Sequence, residues 1–322
     1  MRVFVTGATG FIGFAVVKEL IAGGHQVTGL ARSEASGKKL VEAGARVQVG
    51  TVDDLEGLRR GASAADGAIH TAFYHQLSHV PFGTRLRVFL GGAPGGIVTR
   101  FMGAAAATDR RAIETIAASL GKGSPLVATF GTLAMRPGKL ATEDEIYDHT
   151  PGSFGIIRAR NEDVLKEWAA RGLRTSAIRL PPIVHGDTAF GLASLLIPIA
   201  KKKKESAYVG DGMNRWPSVH HLDAAQLFRL AFENGRAGGT YHGVDEEAIP
   251  FREIAEVIGR RLNVPVVSKS AEEAKKQFGF VGPAVPIDNP TSSELTRERL
   301  GWKPTHMGLL ADLEQTDFFS KV

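Results

Sequence analysis

The chain has 322 residues, with 39 Lys and Arg against 34 Asp and Glu and a formal net charge of +5 at pH 7. Hydrophobic residues make up 43% and charged residues 23%, the composition of a soluble globular protein large enough for a full α/β domain with a smaller appended lobe. No cysteine is present, which excludes a disulfide framework, a thiolate nucleophile and a cysteine zinc site, and fits a reducing cytoplasm.

Lys201 to Lys204 form the only basic block, too short for a nucleic-acid footprint and read as a solvated loop. The apolar stretch at the N-terminus is interrupted by Thr6 and Gly7, unlike a signal peptide. The later run from Gly191 to Ala200 is about half a bilayer span and contains Pro198. The expected partner is therefore a small-molecule substrate, with neither nucleic acid nor membrane.

In chain order, Arg2 to Thr6 reads as a strand and Ile12 to Ala22 as a helix, with Phe14, Val17 and Leu20 or Ile21 at helical spacing. Strands follow at Gln26 to Ala31, Arg46 to Val49 and Gly67 to Thr71. A helix is expected from Asp109 to Leu120, a strand from Pro125 to Gly131, a helix near Gly155 to Arg171, and a strand from Arg174 to Leu180 halted by Pro181 and Pro182. This alternation predicts a doubly wound parallel sheet in an α/β fold. Beyond it come Gly- and Pro-rich loops and short helices at Ala224 to Glu233 and Phe251 to Leu262. The expected division is a dinucleotide-binding domain over 1–182 plus the helix near 220–234, and a smaller α/β lobe over 183–322, with interleaved segments.

One stretch, near 76–107, breaks the rhythm. Leu90 to Val98 is glycine-rich and Gly103 to Ala107 is Gly-Ala-Ala-Ala-Ala, where a short connection would suffice. It reads either as a loose surface insertion or as a lid, since it leaves from the carboxyl end of the fourth strand, the edge where open α/β sheets bind ligands.

The first strand runs into Gly7, Gly10 and Gly13, and a helix follows at once. In that context Gly7 permits the tight turn, Gly10 lets the backbone approach a pyrophosphate and Gly13 lets helix and strand pack closely. The helix N-terminus offers N–H groups and a positive dipole end to phosphates. The candidate cofactor contacts here are Gly7, Thr9, Gly10, Phe11, Ile12 and Gly13. After the second strand, where an acid would hold the ribose 2′-OH of NAD, the chain has Ala31, Arg32 and Ser33. A guanidinium there can grip a 2′-phosphate with two hydrogen bonds, so NADP, as NADPH, is preferred to NADH. Glu34 folding back toward the ribose would undercut this preference, and Arg32 as a solvated loop residue would leave it without support.

TGATGFIG at 6–13, Ile-His-Thr-Ala at 69–72, Arg-Leu-Pro-Pro-Ile-Val-His-Gly at 179–186, Gly-Asp-Gly at 210–212 and Leu-Gly-Trp-Lys-Pro at 300–304 together resemble an extended short-chain dehydrogenase/reductase of the epimerase/dehydratase type. Asn214 to His220 resembles an atypical subgroup lacking the standard Ser, Tyr and Lys. The resemblance implies a Rossmann domain with a C-terminal substrate lobe, and a homodimer by family habit. It brings Thr71, Ala72 and Phe73 near the cofactor ribose, Pro182 and Ile183 near the nicotinamide, and Thr51 and Val52 to the adenine side, with Thr51 where the family usually has Asp. Arg215 resembles a residue that grips nucleotide-sugar diphosphate, with an interdomain ion pair as the alternative.

The alignment puts Gly131, Arg158 and Glu162 at the family's Ser, Tyr and Lys positions. The four tyrosines, Tyr74, Tyr147, Tyr208 and Tyr241, all lack a Lys four residues on. Arg158 stays protonated, so it can polarise a carbonyl or bind a carboxylate but is no ordinary proton donor. Glu162 can accept hydrogen bonds from the ribose. The competing reading is that Arg158, Glu162 and Lys166 form a solvated helical stripe at i, i+4 and i+8. Thr129 and Thr132 offer hydroxyls or cap local backbone. His185 and His220 are candidate proton donors or hydrogen-bonded structural residues, with Asp223 as a helix cap beyond His220 and His221. Tyr74 and Tyr147 lie in loops within reach of a cleft.

The leading expectation is an NADP-dependent oxidoreductase that reduces a carbonyl or activated double bond of a small organic molecule, using a non-standard proton donor or solvent, with Thr132, Arg158, His185 and Tyr147 as the candidate catalytic residues. Tyr74, Arg215 and His220 are the candidate substrate contacts, and no metal site is expected. A non-redox isomerase or lyase, and an NADPH-sensing binding module, are the competing readings.

Overall fold

The computed structural model describes residues 1–93, 96–150 and 153–321. It divides into two compact units, the first made of Met1–Phe130, Ile157–Ile178 and Ala225–Thr240, the second of Gly131–Ile156, Arg179–Ala224 and Tyr241–Val322. The segment 131–156, expected in the dinucleotide-binding domain, groups with the second unit.

The chain begins β1 (Arg2–Thr6), α1 (Phe11–Ala22), β2 (Gln26–Ala31), α2 (Glu34–Glu42), β3 (Arg46–Val49), α3 (Leu55–Ser63) and β4 (Gly67–His70). It continues through α4 (Phe82–Leu90), α5 (Ile97–Ser119), β5 (Pro125–Gly131), α6 (Ile156–Ala159), α7 (Glu162–Ala170) and β6 (Arg174–Leu180). Next come β7 (Ile183–Gly186), β8 (Ala189–Phe190), α8 (Ala193–Lys203), β9 (Ser206–Val209), β10 (Arg215–His220), α9 (His221–Asn234) and β11 (Gly239–His242). The last elements are β12 (Glu246–Pro250), α10 (Phe251–Leu262), β13 (Val266–Lys269), α11 (Ala271–Phe278), α12 (Glu294–Leu300), α13 (Leu309–Gln315) and α14 (Phe318–Lys321).

The seven-stranded sheet has the order β11-β6-β5-β4-β1-β2-β3. Its β1 pairs in parallel with β2 on one side and β4 on the other, with Thr6 opposite His70. The order reverses between β1 and β4, the switch point at which Rossmann-like sheets receive ligands. Phe4, Leu30, Leu58, Ile113, Ile116, Leu126 and Phe130 form the core of this unit. Buried strands with apolar residues on both faces and crossover helices between them make this the expected doubly wound Rossmann-like fold. The second unit holds a four-stranded sheet, β12-β10-β7-β8, and a two-stranded one, β13-β9. Its core gathers Phe190, Ile197, Trp216, Phe251, Ile254 and Leu309.

The stretch near 76–107 is largely helical. It contains α4 and the first half of α5, a helix of 23 residues that starts well before the expected Asp109. Gly103 to Ala107 lie inside α5, in keeping with the high helix propensity of alanine. Tyr74, Val80, Val88, Phe101 and Ala105 pack into a small apolar cluster there, so the surface insertion has its own anchor. Pro94 and Gly95, part of the same stretch, lie outside the described residues.

Four further expectations are corrected. The helix near Gly155 to Arg171 is broken into α6 and α7, with Asn161 preceding the second. β4 ends at His70 rather than Thr71. The helix expected from Ala224 starts at His221, which puts Asp223 inside its first turn rather than at its cap. Lys201 to Lys203 sit in the last turn of α8, where cations favour the helix dipole, and Lys204 ends it in the left-handed conformation at φ 56°.

Candidate dinucleotide and active site

The loop between β1 and α1 closes with the Gly10 N–H donating to the Gly7 carbonyl at 2.8 Å. Gly7 has φ of +70°, and a Cβ there would stand 2.6 Å from Thr71 Oγ1 and 2.7 Å from Ala72 N. A Cβ on Gly13 would overlap the Gly7 carbonyl oxygen. Both positions thus require glycine, the first for its backbone angle and the second for close approach. No side chain caps α1 at Gly10, so the N–H groups of its first turn are left without a side-chain acceptor at the cap. Phe11 and Ile12 are half-buried in that turn. Thr71 locks the neighbouring strand end by donating its hydroxyl to Thr6 O at 2.8 Å.

At the end of β2, Arg32 is exposed while Ser33 caps α2, its hydroxyl accepting from Ser36 N at 3.2 Å. Sequence reasoning missed Lys39. Its ammonium donates to Thr9 O at 2.7 Å and lies 4.7 Å over the Phe14 ring, which brings a second cation to the glycine loop. Helical spacing from Ser33 would have placed Lys39 two turns along α2, but nothing local aims it back at the loop. Thr51 and Val52 are half-buried after β3. The nearby Asp53 accepts from the Tyr74 hydroxyl and, at 3.4 Å, from Thr108 Oγ1. Burial first, then the hydrogen bond and charge of Asp53, push the Tyr74 pKa up, so Tyr74 is a poor proton donor.

Beyond β4 lies a buried polar chain. His70 is fully buried, with Nδ1 2.7 Å from Thr6 Oγ1 and Nε2 3.4 Å from Asp109 Oδ1. The other Asp109 oxygen accepts from Asn161 Nδ2 at 2.7 Å. Arg158 reaches into the same place. Its Nη2 is 3.8 Å from Asp109 Oδ1 and donates to Thr129 O at 2.8 Å, and its guanidinium covers the Phe73 ring at 4.0 Å. The Arg158 side chain is only 16% exposed and Glu162 is 2% exposed. The solvated stripe is therefore overturned for Arg158 and Glu162, which are both enclosed, while Lys166 pairs with Asp163 on the surface at 3.7 Å. Thr129 donates to His70 O at 3.3 Å, a bond across to the neighbouring strand β4 rather than a cap on its own local backbone.

The remaining candidates belong to the second unit. Thr132 is fully buried and donates to Asn289 Oδ1 at 2.7 Å, while Asn289 Nδ2 returns a bond to Thr132 O at 2.9 Å. This reciprocal pair commits the hydroxyl to structure. Tyr147 is buried, with its ring 4.6 Å from that of His149. Pro182 is buried and Ile183 belongs to the core of this unit. His185 holds Asp312 Oδ2 through Nδ1 at 2.7 Å. Arg215 makes a two-pronged pair with Asp288, at 2.9 Å from Nε and 2.7 Å from Nη2, inside one unit rather than between domains. Burial, then the charges of His221, His185 and His306, bring the His220 pKa down to about 4.

Among the described residues no helix is long and apolar enough to cross a membrane. Residues 3–85 match the NAD dependent epimerase/dehydratase family. The chain is 44% identical over 321 residues to protein C2A9.02 of Schizosaccharomyces pombe, covering 99% of this chain and 100% of that one. It is 40% identical over 316 residues to protein YLL056C of Saccharomyces cerevisiae, covering 97% and 98%. Among solved structures it resembles DesIV, a dTDP-glucose 4,6-dehydratase from Streptomyces venezuelae with NAD and TYD bound, at a TM-score of 0.73 and 19% identity, covering 100% of this chain and 97% of that one. The glycine loop at the switch point of a Rossmann-like sheet and the matched residues agree: the chain belongs to the NAD-dependent epimerase/dehydratase family of extended short-chain dehydrogenases/reductases.

Proposed function

We propose that this enzyme of the epimerase/dehydratase/reductase kind is an oxidoreductase that uses NADPH to reduce a carbonyl or activated double bond of a small organic molecule. The observation that carries the reading is the pair of cations at the adenosine end of the glycine loop. Arg32 follows β2 where an acid would select NAD, and Lys39 lies against Thr9 O at 2.7 Å. When bound, the cofactor supplies hydride. The backbone of Gly7, Thr9, Gly10, Phe11, Ile12 and Gly13 receives its pyrophosphate, Thr71 to Phe73 line the ribose, and Thr51 and Val52 the adenine.

In this reading Arg158 is the electrophilic group. A guanidinium held by Asp109, Thr129 O and the Phe73 face stabilises the charge that develops on a substrate oxygen, and such preorganised charge contributes several kcal/mol where water is excluded. The proton comes from a non-standard donor or solvent, and neither Tyr74, bound to Asp53, nor Thr132, bound to Asn289, is free to give it. The test is titration of the purified protein with NADPH and NADH, followed by a screen of aldehydes, ketones and enones for NADPH oxidation. Tight NADPH binding with turnover of one of these classes supports the reading. Equal affinity for both cofactors, or binding without any turnover, overturns it.

A further inference from the structure

Outside the dinucleotide site, the second unit gathers four histidines. His185 on β7 and His220 on β10 face each other across a parallel ladder, and their rings meet edge to face at 5.4 Å. On its other side, His220 stacks on His306 with ring centroids 4.7 Å apart and an interplanar angle of 8°. His221 lies 4.6 Å from His220 at a tilt. Asp223, 2% exposed, completes the group. Its carboxylate accepts from the backbone N–H groups of Thr305 and His306 at 3.0 Å each and lies 2.8 Å from His306 Nδ1.

We propose that His220, Asp223 and His306 form a binding site for a divalent transition-metal ion of the zinc class. One ligand atom from each lies within 4.8 Å of the other two. Bonds of about 2.0–2.2 Å at tetrahedral angles need those atoms at about 3.3 Å, a modest closure. His306 can make it, because its side chain is 41% exposed and sits in the loop before α13. The 2.8 Å bond from His306 Nδ1 to Asp223 then gives way to metal bonds, the ring proton moving to the far nitrogen. His220 Nδ1 takes only a long bond, 3.3 Å from Leu222 N, which leaves its lone pair weakly engaged. Two imidazoles with one carboxylate suit zinc, iron, cobalt or nickel, whereas magnesium and calcium prefer all-oxygen sets.

Two further features lie beside these residues. Gly186 has φ of +152°, and a Cβ there would overlap the His221 ring, so the glycine lets that imidazole pack against the end of β7 next to His220. His185 is fully buried. Its Nδ1 is held by Asp312 at 2.7 Å, and its Nε2 has no hydrogen-bond partner. The Asp312–His185 pair, next to His220, resembles the carboxylate–histidine supports that surround metal sites. Backbone N–H groups of Thr305 and His306 hold the Asp223 carboxylate in the same supporting manner.

Metal-stripped full-length protein titrated with Zn2+ alone, against a chromophoric chelator, decides the proposal. One equivalent per chain is expected, with Co2+ giving the visible absorption of a four-coordinate site. Asp223→Asn also disturbs the backbone bonds to residues 305 and 306, so the exposed His306→Ala is the variant that decides. It should weaken Zn2+ binding by more than about 100-fold, beyond the usual loss for an outer partner. His149→Ala should leave binding unchanged, and far-UV circular dichroism with a thermal melt reports that each variant is folded. Substoichiometric Zn2+, or an unchanged affinity in His306→Ala, overturns the proposal.

Discussion

The Asp109 carboxylate lies 3.8 Å from the guanidinium of Arg158, and only 2% of the Asp109 side chain is exposed. Burial by itself would raise the Asp109 pKa, but the Arg158 charge and the bonds from His70 and Asn161 outweigh it and hold the group below its ordinary 3.8. Its stabilisation is therefore present above about pH 4 and is lost as pH falls through the folded value. Asp109→Ala leaves Arg158 enclosed without its counter-charge and is expected to cost about 3–5 kcal/mol, measured by urea denaturation at pH 7. A loss under 1 kcal/mol would mean that solvent already screens the pair.

Arg32→Ala tests cofactor choice. Charge-assisted bonds to a phosphate contribute about 1.5–3 kcal/mol, so NADPH affinity should fall about 10- to 100-fold while NADH affinity changes little. Fluorescence titration with both cofactors reads this directly. An equal fall for both would assign Arg32 to the shared part of the dinucleotide.

Two glycines should respond with opposite sign. Gly13→Ala drives a methyl group into the Gly7 carbonyl, so dinucleotide binding should be lost and the melting temperature should drop. Gly103→Ala meets open space inside α5 and should stabilise the fold by about 0.5–1 kcal/mol. Thermal melts of the two variants check both.

His242 is fully buried, its Nδ1 2.7 Å from Ser292 O and its Nε2 3.3 Å from Arg179 Nη1. Burial first, then the Arg179 charge, bring its pKa down to about 3 from 6.5. The unfolded chain thus binds this proton first as pH falls. The stabilisation is complete above about pH 6.5 and declines toward pH 3, with a slope of about 1.4 kcal/mol per pH unit for one proton. His242→Gln should remove that slope from the stability profile, and an unchanged profile would exclude His242 as its source.

Much of the Rossmann unit was legible from local pattern. The expected bounds of β1, β2, β3, β5, β6 and α10 coincide with the observed ones, because apolar runs between glycine and proline signals specify each element over a few residues. The glycine loop was equally local. By contrast, α5 was hidden because the glycines at 91–92 suggested loop, while its alanine-rich start carries little amphipathic contrast. Arg158 and Glu162 stayed open between a solvated stripe and an inward site, because i, i+4 spacing alone does not say which face is covered; both are enclosed, whereas Lys166 on the same helix as Glu162 is on the surface.

Taken by itself, the sequence determined the fold class, the glycine turn between β1 and α1 and the lack of a Tyr with Lys four residues on, all matters of residue identity and short-range spacing. Only the tertiary structure decided which polar groups are available. It tied Tyr74 to Asp53, Thr132 to Asn289 and Arg215 to Asp288, brought Lys39 to Thr9, and set Arg158 against Asp109. The physical reason is that a side chain's chemistry depends on its burial and hydrogen-bond partners, and those partners come from segments far apart in the chain.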